Sequence, residues 1–208
     1  EGLTMTQIAD LMAQQGVADR DELLRLMKDR TLTAALGIKA DNLEGYLYPD
    51  TYKFPKSVKA KDVVATMVEH LQQVYGLELE LRAQELKMTK HEVLTLASVI
   101  EKETASNGER EEISAVFHNR LKKHIPLQSD PTVIYGLPNF DGNIHKKDLS
   151  IQSPYNTYRY AGLPPGPIAA PVDEPGRIRS LDILRGVAVL GIFVMNSRNF
   201  ALPLQQFD

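Results

Sequence analysis

The sequence predicts an α+β fold, and three observations lead to this prediction. Apolar residues recur with helical spacing through most of the first 123 residues, whereas the aromatic residues of the segment 44–54 alternate as in a β-strand. Nine of the twelve prolines lie between Pro126 and Pro175, which indicates a long irregular region. We therefore expect helices, a short strand region and a Pro-rich loop region.

The composition excludes several classes of function. With 208 residues, 43% of them hydrophobic and 25% charged, the chain suits one folded domain or a domain with a small companion. A net charge of −3 argues against a nucleic-acid partner bound through bulk charge. The absence of cysteine excludes disulfides and thiolate zinc sites. The five histidines lack metal-ligand spacing, and no phosphate-binding or dinucleotide motif occurs, so we expect no metal and no cofactor.

The N-terminal region is predicted to form two short amphipathic helices. Thr4 and Gln7 have the spacing of a capping box, and Gly16 follows as a stop signal. Asp19 and Glu22 repeat this start signal before a second leucine-rich stretch.

The aromatic segment that follows has the period of a strand. Tyr46, Tyr48, Tyr52 and Phe54 alternate with other residues, and Pro49 predicts an edge strand or a break into two strands. Covering a core is one interpretation of these rings. Stacking on carbohydrate is the alternative.

Three further helices are predicted at residues 60–75, 89–105 and about 109–123. The last has acidic residues in its first turn and basic residues in its last turn, which complements the helix dipole without a catalytic role.

Glu101 is the candidate catalytic residue. At about 100° per residue in helix 89–105, it falls within the apolar stripe that contains Ala97. A carboxyl group on a buried face is costly unless it is paired or protonated, and burial favours the protonated form that a general acid needs. The alternative interpretation is a structural ion pair with Arg110 or Arg120.

The Pro-rich region contains two weaker candidates. Ser129 and Asp130 precede Pro131, which predicts a helix start. The segment 162–168 combines prolines and glycines in a rigid turn beside the polar segment 153–158. That turn is either the wall of a site for an extended ligand or an ordered structural loop.

Seven sequence words occur here in the order found in one known family. They are LEGYLYPDTY (residues 43–52), ASVIEKET (97–104), ER (109–110), VFHNRL (116–121), LQSDPTVIYG (127–136), SPYNTY (153–158) and GLPPGPI (162–168). Together they closely resemble the MltG (YceG-like) endolytic murein transglycosylases, and the resemblance covers residues 1–171.

The resemblance implies cleavage of MurNAc–GlcNAc bonds within peptidoglycan glycan strands, which leaves 1,6-anhydro-MurNAc ends. The family's catalytic glutamate is the first of the IEKET word, which is Glu101, the residue that helical periodicity also selects. The resemblance suggests a group of further positions for the substrate groove. They are Asn119, Gln128, Ser129, Asp130, Tyr155, Asn156 and Thr157.

The resemblance also implies a domain organisation and a location. Residues 1–43 would be a truncated LysM-like piece and residues 44–171 the catalytic domain. Family members carry an N-terminal membrane anchor, which we expect to be missing from this chain. This implies the cell (inner) membrane, with the catalytic domain facing the periplasm or cell exterior, and cell-wall synthesis enzymes as partners.

Residues 172–208 depart from the family pattern. They resemble the first transmembrane helix of DUF418 (YeiB-like) membrane proteins, with an uncharged run at residues 186–197. We expect a junction near residues 171–176, and weak or no activity unless the tail replaces a missing strand. The alternatives to an active transglycosylase are a non-catalytic peptidoglycan-binding module, an inactive truncated fusion, or a membrane protein defined by its tail.

Overall fold

The computed structural model describes residues 2–104 and 108–169, and helices dominate them. In chain order they are α1 (Met5–Gln14), α2 (Arg20–Met27), α3 (Arg30–Ala35), α4 (Ala60–Glu85), α5 (Lys90–Glu103), α6 (Arg110–Lys122), α7 (Asp130–Gly136) and a 3-10 helix (Asp148–Ser150).

The predicted N-terminal helices are present, and their caps are those that the sequence indicates. Thr4 and Gln7 form a complete capping box at the start of α1, and the side chain of Asp19 accepts the Glu22 N–H at the start of α2. Helix α3 was not predicted from the sequence; its N-cap is Asp29. Helix α1 packs on α2, and α2 packs on α4.

The predicted strand is wrong. Residues 44–54 are irregular, and no strand occurs anywhere in residues 2–104 and 108–169. The backbone N–H of Tyr48 donates to the carbonyl of Met67 on α4 at 3.2 Å instead of to a neighbouring strand. Because Pro49 has no N–H and no second strand is available, the aromatic rings pack on helices rather than on a sheet.

Helix α4 is longer than the predicted helix 60–75 and has a break inside it. Gly76 adopts φ 56° and ψ 178°, a conformation that glycine reaches without a Cβ penalty. Helix α5 lies at the centre of the fold, with its residues Val93 to Ile100 all buried. One apolar cluster extends from Met5 through α4 and α5 to Ile168.

These observations correct the predicted fold class. The described part of the chain is helical with long irregular connections, so neither an α+β fold nor a LysM-like piece at residues 1–43 is supported. The helical start and stop signals outweigh the short alternation of aromatic residues on which the strand prediction depended. The domain boundary near residue 43 stays a prediction.

The predicted tail at residues 172–208 lies outside the described residues. Within residues 2–104 and 108–169, none of the helices combines the length and the apolar character needed to cross a membrane.

Candidate active site

Helix α5 places Glu101 at the edge of the core. A capping box between Thr89 and Glu92 begins the helix, and its buried middle fixes the direction of the following turn. The Glu101 side chain is 12% exposed, and its Oε2 lies 3.0 Å from Nη2 of Arg110. The same guanidinium nitrogen donates to Oε1 at 3.2 Å.

Arg110 is the cation that the fold provides for Glu101. It belongs to the first turn of α6 and its side chain is 1% exposed, so the pair is shielded from water on the Arg110 side. The ion pair considered as the alternative from the sequence is therefore present with Arg110. Arg120 is used elsewhere, since its Nη1 donates to the carbonyls of Pro126 and Leu127 and to Gln128 Oε1.

The start of α7 meets the last turn of α5. The Oγ of Ser129 donates to Oε2 of Glu103 at 2.6 Å, which joins the two helices directly. The predicted helix start is present, with Ser129 as the N-cap residue and Pro131 in the first turn as the second helical residue. The neighbouring Asp130 is exposed, and its Oδ1 accepts the Tyr158 hydroxyl at 2.6 Å.

Residues 156 and 157 form hydrogen bonds that hold the backbone around Ser129. The Oγ1 of Thr157 accepts the Ser129 N–H at 3.1 Å, and its carbonyl accepts the Gln128 N–H at 3.0 Å. The Asn156 side-chain amide donates to the carbonyls of Leu149 and Ile151. Because Ser129, Asn156 and Thr157 are at most 2% exposed, their hydrogen bonds position the backbone rather than present polar groups to a ligand.

The turn 162–168 is anchored to α5 at two points. The Ile168 N–H donates to Ser98 Oγ at 2.9 Å, one turn before Glu101. At the other point, Nε2 of His91 lies 2.7 Å from the Pro165 carbonyl. Since a carbonyl only accepts, Nε2 of His91 donates this hydrogen bond, and the Tyr46 hydroxyl lies 2.6 Å from Nδ1 of the same ring.

The structure does not bring all seven predicted groove residues to one place. Gln128 and Asp130, the neighbours of Ser129 in the chain, are exposed, and Tyr155 is half-buried. Asn119 is exposed on α6, about two and a half turns from Arg110 and therefore on the opposite side of that helix. No side-chain hydrogen bond among the described residues joins Asn119 to Glu101.

Glu44 was not among the residues that the sequence predicted for a site. This carboxyl group is 8% exposed, and burial raises its pKa to about 7, although the Met5 N–H and Tyr135 act in the opposite direction. A single acidic residue within an apolar and aromatic segment was the available signal. The predicted strand, with Glu44 at its first position, obscured it.

A cleft of about 300 Å³ lies away from the Glu101 site. Polar and charged residues of both signs line it, namely Asp50, Thr51, Tyr52, Lys53, Thr66, Glu69, His70 and Gln73. The neighbouring rings of Tyr52 and Phe54 stack on each other with centroids 5.7 Å apart and pack against the core. No cluster of three or more metal-ligating side chains occurs within the described part of the chain.

A relative of solved structure shares this architecture, and further relatives match the sequence. A YceG-like protein from Listeria monocytogenes has a crystal structure that superimposes with a TM-score of 0.74 at 36% identity, over 90% of this chain and 64% of that one. The endolytic murein transglycosylase of Bacillus subtilis is 35% identical over 187 residues, which are 81% of this chain and 51% of the relative.

An endolytic murein transglycosylase of Streptococcus pneumoniae is 33% identical over 199 residues, covering 82% of this chain and 35% of the relative. The chain therefore spans about half the length of the Bacillus protein and about a third of the pneumococcal one. The YceG-like family matches residues 1–175. The chain belongs to the YceG-like family.

Proposed function

We propose that this protein is an endolytic peptidoglycan lytic transglycosylase that cleaves MurNAc–GlcNAc bonds within glycan strands. The family membership and the names of the relatives support the reaction class. The observation that carries the proposal is the position of Glu101, a carboxyl group at the edge of the core beside a buried arginine. Peptidoglycan is the substrate, and action outside the cytoplasm follows from that substrate.

Glu101 acts first as the general acid and then as the general base. The protonated carboxyl group donates its proton to the glycosidic oxygen while the bond to C1 breaks and positive charge develops on the sugar. The resulting carboxylate takes the proton of the C6 hydroxyl as that oxygen attacks C1. The product is a 1,6-anhydro sugar; no water is consumed, and Glu101 regains its proton.

Arg110 favours the carboxylate form of Glu101, so it lowers the fraction that carries the proton needed for the first step and supports the second half of this cycle. A guanidinium 3.0 Å from the carboxylate compensates the negative charge that exists after the first proton transfer. Since the attacking hydroxyl belongs to the substrate, proximity supplies much of the rate. No second carboxylate is needed to activate water.

The groove residues divide into two groups by exposure. Gln128, Asp130 and Tyr155 are accessible and are the positions proposed to contact the glycan strand. Ser129, Asn156 and Thr157 are buried and support them. Asn119 would contact only a strand that extends over α6.

The proposal extends to location and partners. A membrane anchor and contacts with cell-wall synthesis enzymes fit a protein that acts on the growing wall, and the catalytic region would then face the periplasm or the cell exterior. Residues 44–171 would contain all the groups of the reaction described above.

The test is the mass of the products released from purified, peptide-free glycan strands. The protein should release fragments with anhydro ends, lighter by one water than the corresponding reducing ends. Glu101→Gln should abolish their release, whereas the exposed Glu78→Gln, a matched control, should not. Reducing ends would contradict the transglycosylase mechanism. Strand binding without cleavage, unaffected by Glu101→Gln, would indicate a binding module or an inactive fusion.

A further inference from the structure

Gln128 has a backbone conformation that no helix end explains. Its φ is +54°, which is uncommon for a residue with a side chain. Among the described non-glycine residues, Lys87 and His124 also have a positive φ, but each follows the C-cap of a helix, where this is common. Gln128 instead precedes the N-cap of α7. Strained residues persist where their surroundings fix them, and they cluster at functional sites.

Hydrogen bonds from two directions hold the backbone of Gln128 in this conformation. On one side, Nη1 of Arg120 donates to the carbonyls of Pro126 and Leu127, at 2.9 and 3.0 Å. On the other side, the N–H of Gln128 donates to the carbonyl of Thr157 at 3.0 Å. The strained segment is therefore attached both to α6 and to the segment 153–158.

Arg120 also decides which end of the Gln128 amide faces outward. Its Nη1 donates to Oε1 of Gln128 at 2.9 Å, and a guanidinium has only donors, so the amide oxygen must face it. Nε2 of Gln128 points away from Arg120 and forms no hydrogen bond within the described part of the chain. Because Gln128 is exposed, two N–H donors with a fixed direction are available to a ligand.

These donors lie on the segment that meets the candidate active site. The residue after Gln128 is Ser129, whose Oγ donates to Oε2 of Glu103 at 2.6 Å. Glu103 is two residues beyond Glu101 in the last turn of α5. A glycan strand that reaches Glu101 therefore passes close to the Gln128 amide.

We propose that Gln128, oriented by Arg120, determines substrate specificity by donating from Nε2 to the carbonyl oxygen of an N-acetyl group of the glycan strand. This inference rests on the proposed function. A sugar hydroxyl can donate or accept, so it can pair with either end of an amide, whereas a carbonyl oxygen only accepts. A fixed pair of N–H donors therefore selects a carbonyl-type acceptor.

Two groups of a peptide-free strand offer such an acceptor. One is the N-acetyl group, which both MurNAc and GlcNAc carry, and the other is the lactyl carboxylate of MurNAc. A carboxylate is bound more strongly by a cation than by a neutral amide, and Nη1 of Arg120 is already engaged. The neutral N-acetyl carbonyl is the better match for the Gln128 amide.

Steady-state kinetics of the full chain on peptide-free glycan strands, before and after chemical de-N-acetylation, test this inference. The KM of the unaltered protein should rise severalfold on the de-N-acetylated strands. Gln128→Glu keeps the shape of the side chain and an oxygen for Arg120 but has no N–H donor, so it should lose this preference. Because Gln128 transfers no proton, kcat should change little. A preference of the same size in the protein and in Gln128→Glu would overturn the proposal.

A double-variant comparison tests whether Arg120 acts through Gln128. Arg120→Gln should raise the KM for acetylated strands by about as much as Gln128→Glu does. The double variant should be no worse than either single variant, because the two residues act as one unit. The matched control Arg25→Gln, at an exposed arginine of α2, should leave KM unchanged. Increases in KM that multiply in the double variant would refute this role of Arg120.

An NMR measurement depends neither on turnover nor on the Arg120 variants. In Glu101→Gln, the side-chain amide signal of Gln128, assigned from Gln128→Glu, should shift when acetylated peptide-free strands are added and stay in place with de-N-acetylated strands. The absence of a shift with acetylated strands would overturn the inference. Equal shifts with both substrates would assign the donors to the lactyl carboxylate and overturn the N-acetyl assignment. A shift specific to acetylated strands, in a protein that releases no anhydro ends, would refute the proposed function alone.

Discussion

The pH dependence of folding stability should report directly on Glu44. Burial raises the pKa of this group from 4.5 to about 7, so the folded state binds its proton more tightly than the unfolded state does. The stabilising contribution is complete below pH 4.5 and is lost as the pH rises through about 7. A difference of this size corresponds to about 3 kcal/mol of unfolding free energy.

Urea unfolding at several pH values from about 4 to 8 measures this contribution. Other groups titrate in the same range, so the quantity to follow is the difference in stability between the protein and Glu44→Gln. That difference should change by about 3 kcal/mol across the range, with the protein losing stability relative to the variant as the pH rises. The same comparison with Glu78→Gln, an exposed glutamate, should change little. A difference for Glu44→Gln that stays constant with pH would refute the argument from burial.

Two further predictions concern packing and the ion pair. Gly45→Ala places a Cβ 2.4 Å from Pro167 at φ +79°, whereas the control Gly16→Ala at φ +67° meets nothing within 4 Å. In urea unfolding, Gly45→Ala should therefore lower the unfolding free energy by well above the roughly 1 kcal/mol expected for Gly16→Ala. Equal losses of stability in the two variants would contradict this packing. Arg110→Gln leaves the Glu101 carboxylate without its guanidinium, and should therefore lower the unfolding free energy by about 3 kcal/mol or more and reduce strand cleavage. Full cleavage activity with unchanged stability would show that the ion pair is dispensable.

Local signals in the sequence were sufficient for most helices. Thr4 and Asp19 are caps in the structure, as predicted, because a side-chain oxygen that accepts a nearby N–H stabilises a helix start wherever the helix later packs. Helical periodicity also placed Glu101 within the apolar stripe of its helix, and its side chain is only 12% exposed in the structure. Helix caps and helical periodicity both depend only on neighbours within one or two turns.

Long-range partners decided the features that the sequence did not reveal. The rings of Tyr46 and Tyr52 alternate like those of a strand, but Tyr46 bonds to His91 and Tyr52 lies beside His70 on α4, so helices replaced the expected sheet. The choice of Arg110 over Arg120 depends on how α6 docks on α5, which spacing alone does not specify. The burial of Glu44 likewise depends on α1 and α7, which are distant in sequence.

The mass of the products from peptide-free glycan strands, measured side by side for the protein and Glu101→Gln, decides whether Glu101 is the acid and base of a lytic transglycosylase. We predict fragments with 1,6-anhydro ends from the protein and none from Glu101→Gln. Fragments with reducing ends, or anhydro fragments released equally by Glu101→Gln, would contradict the assignment of Glu101 as the acid and base of a lytic transglycosylase.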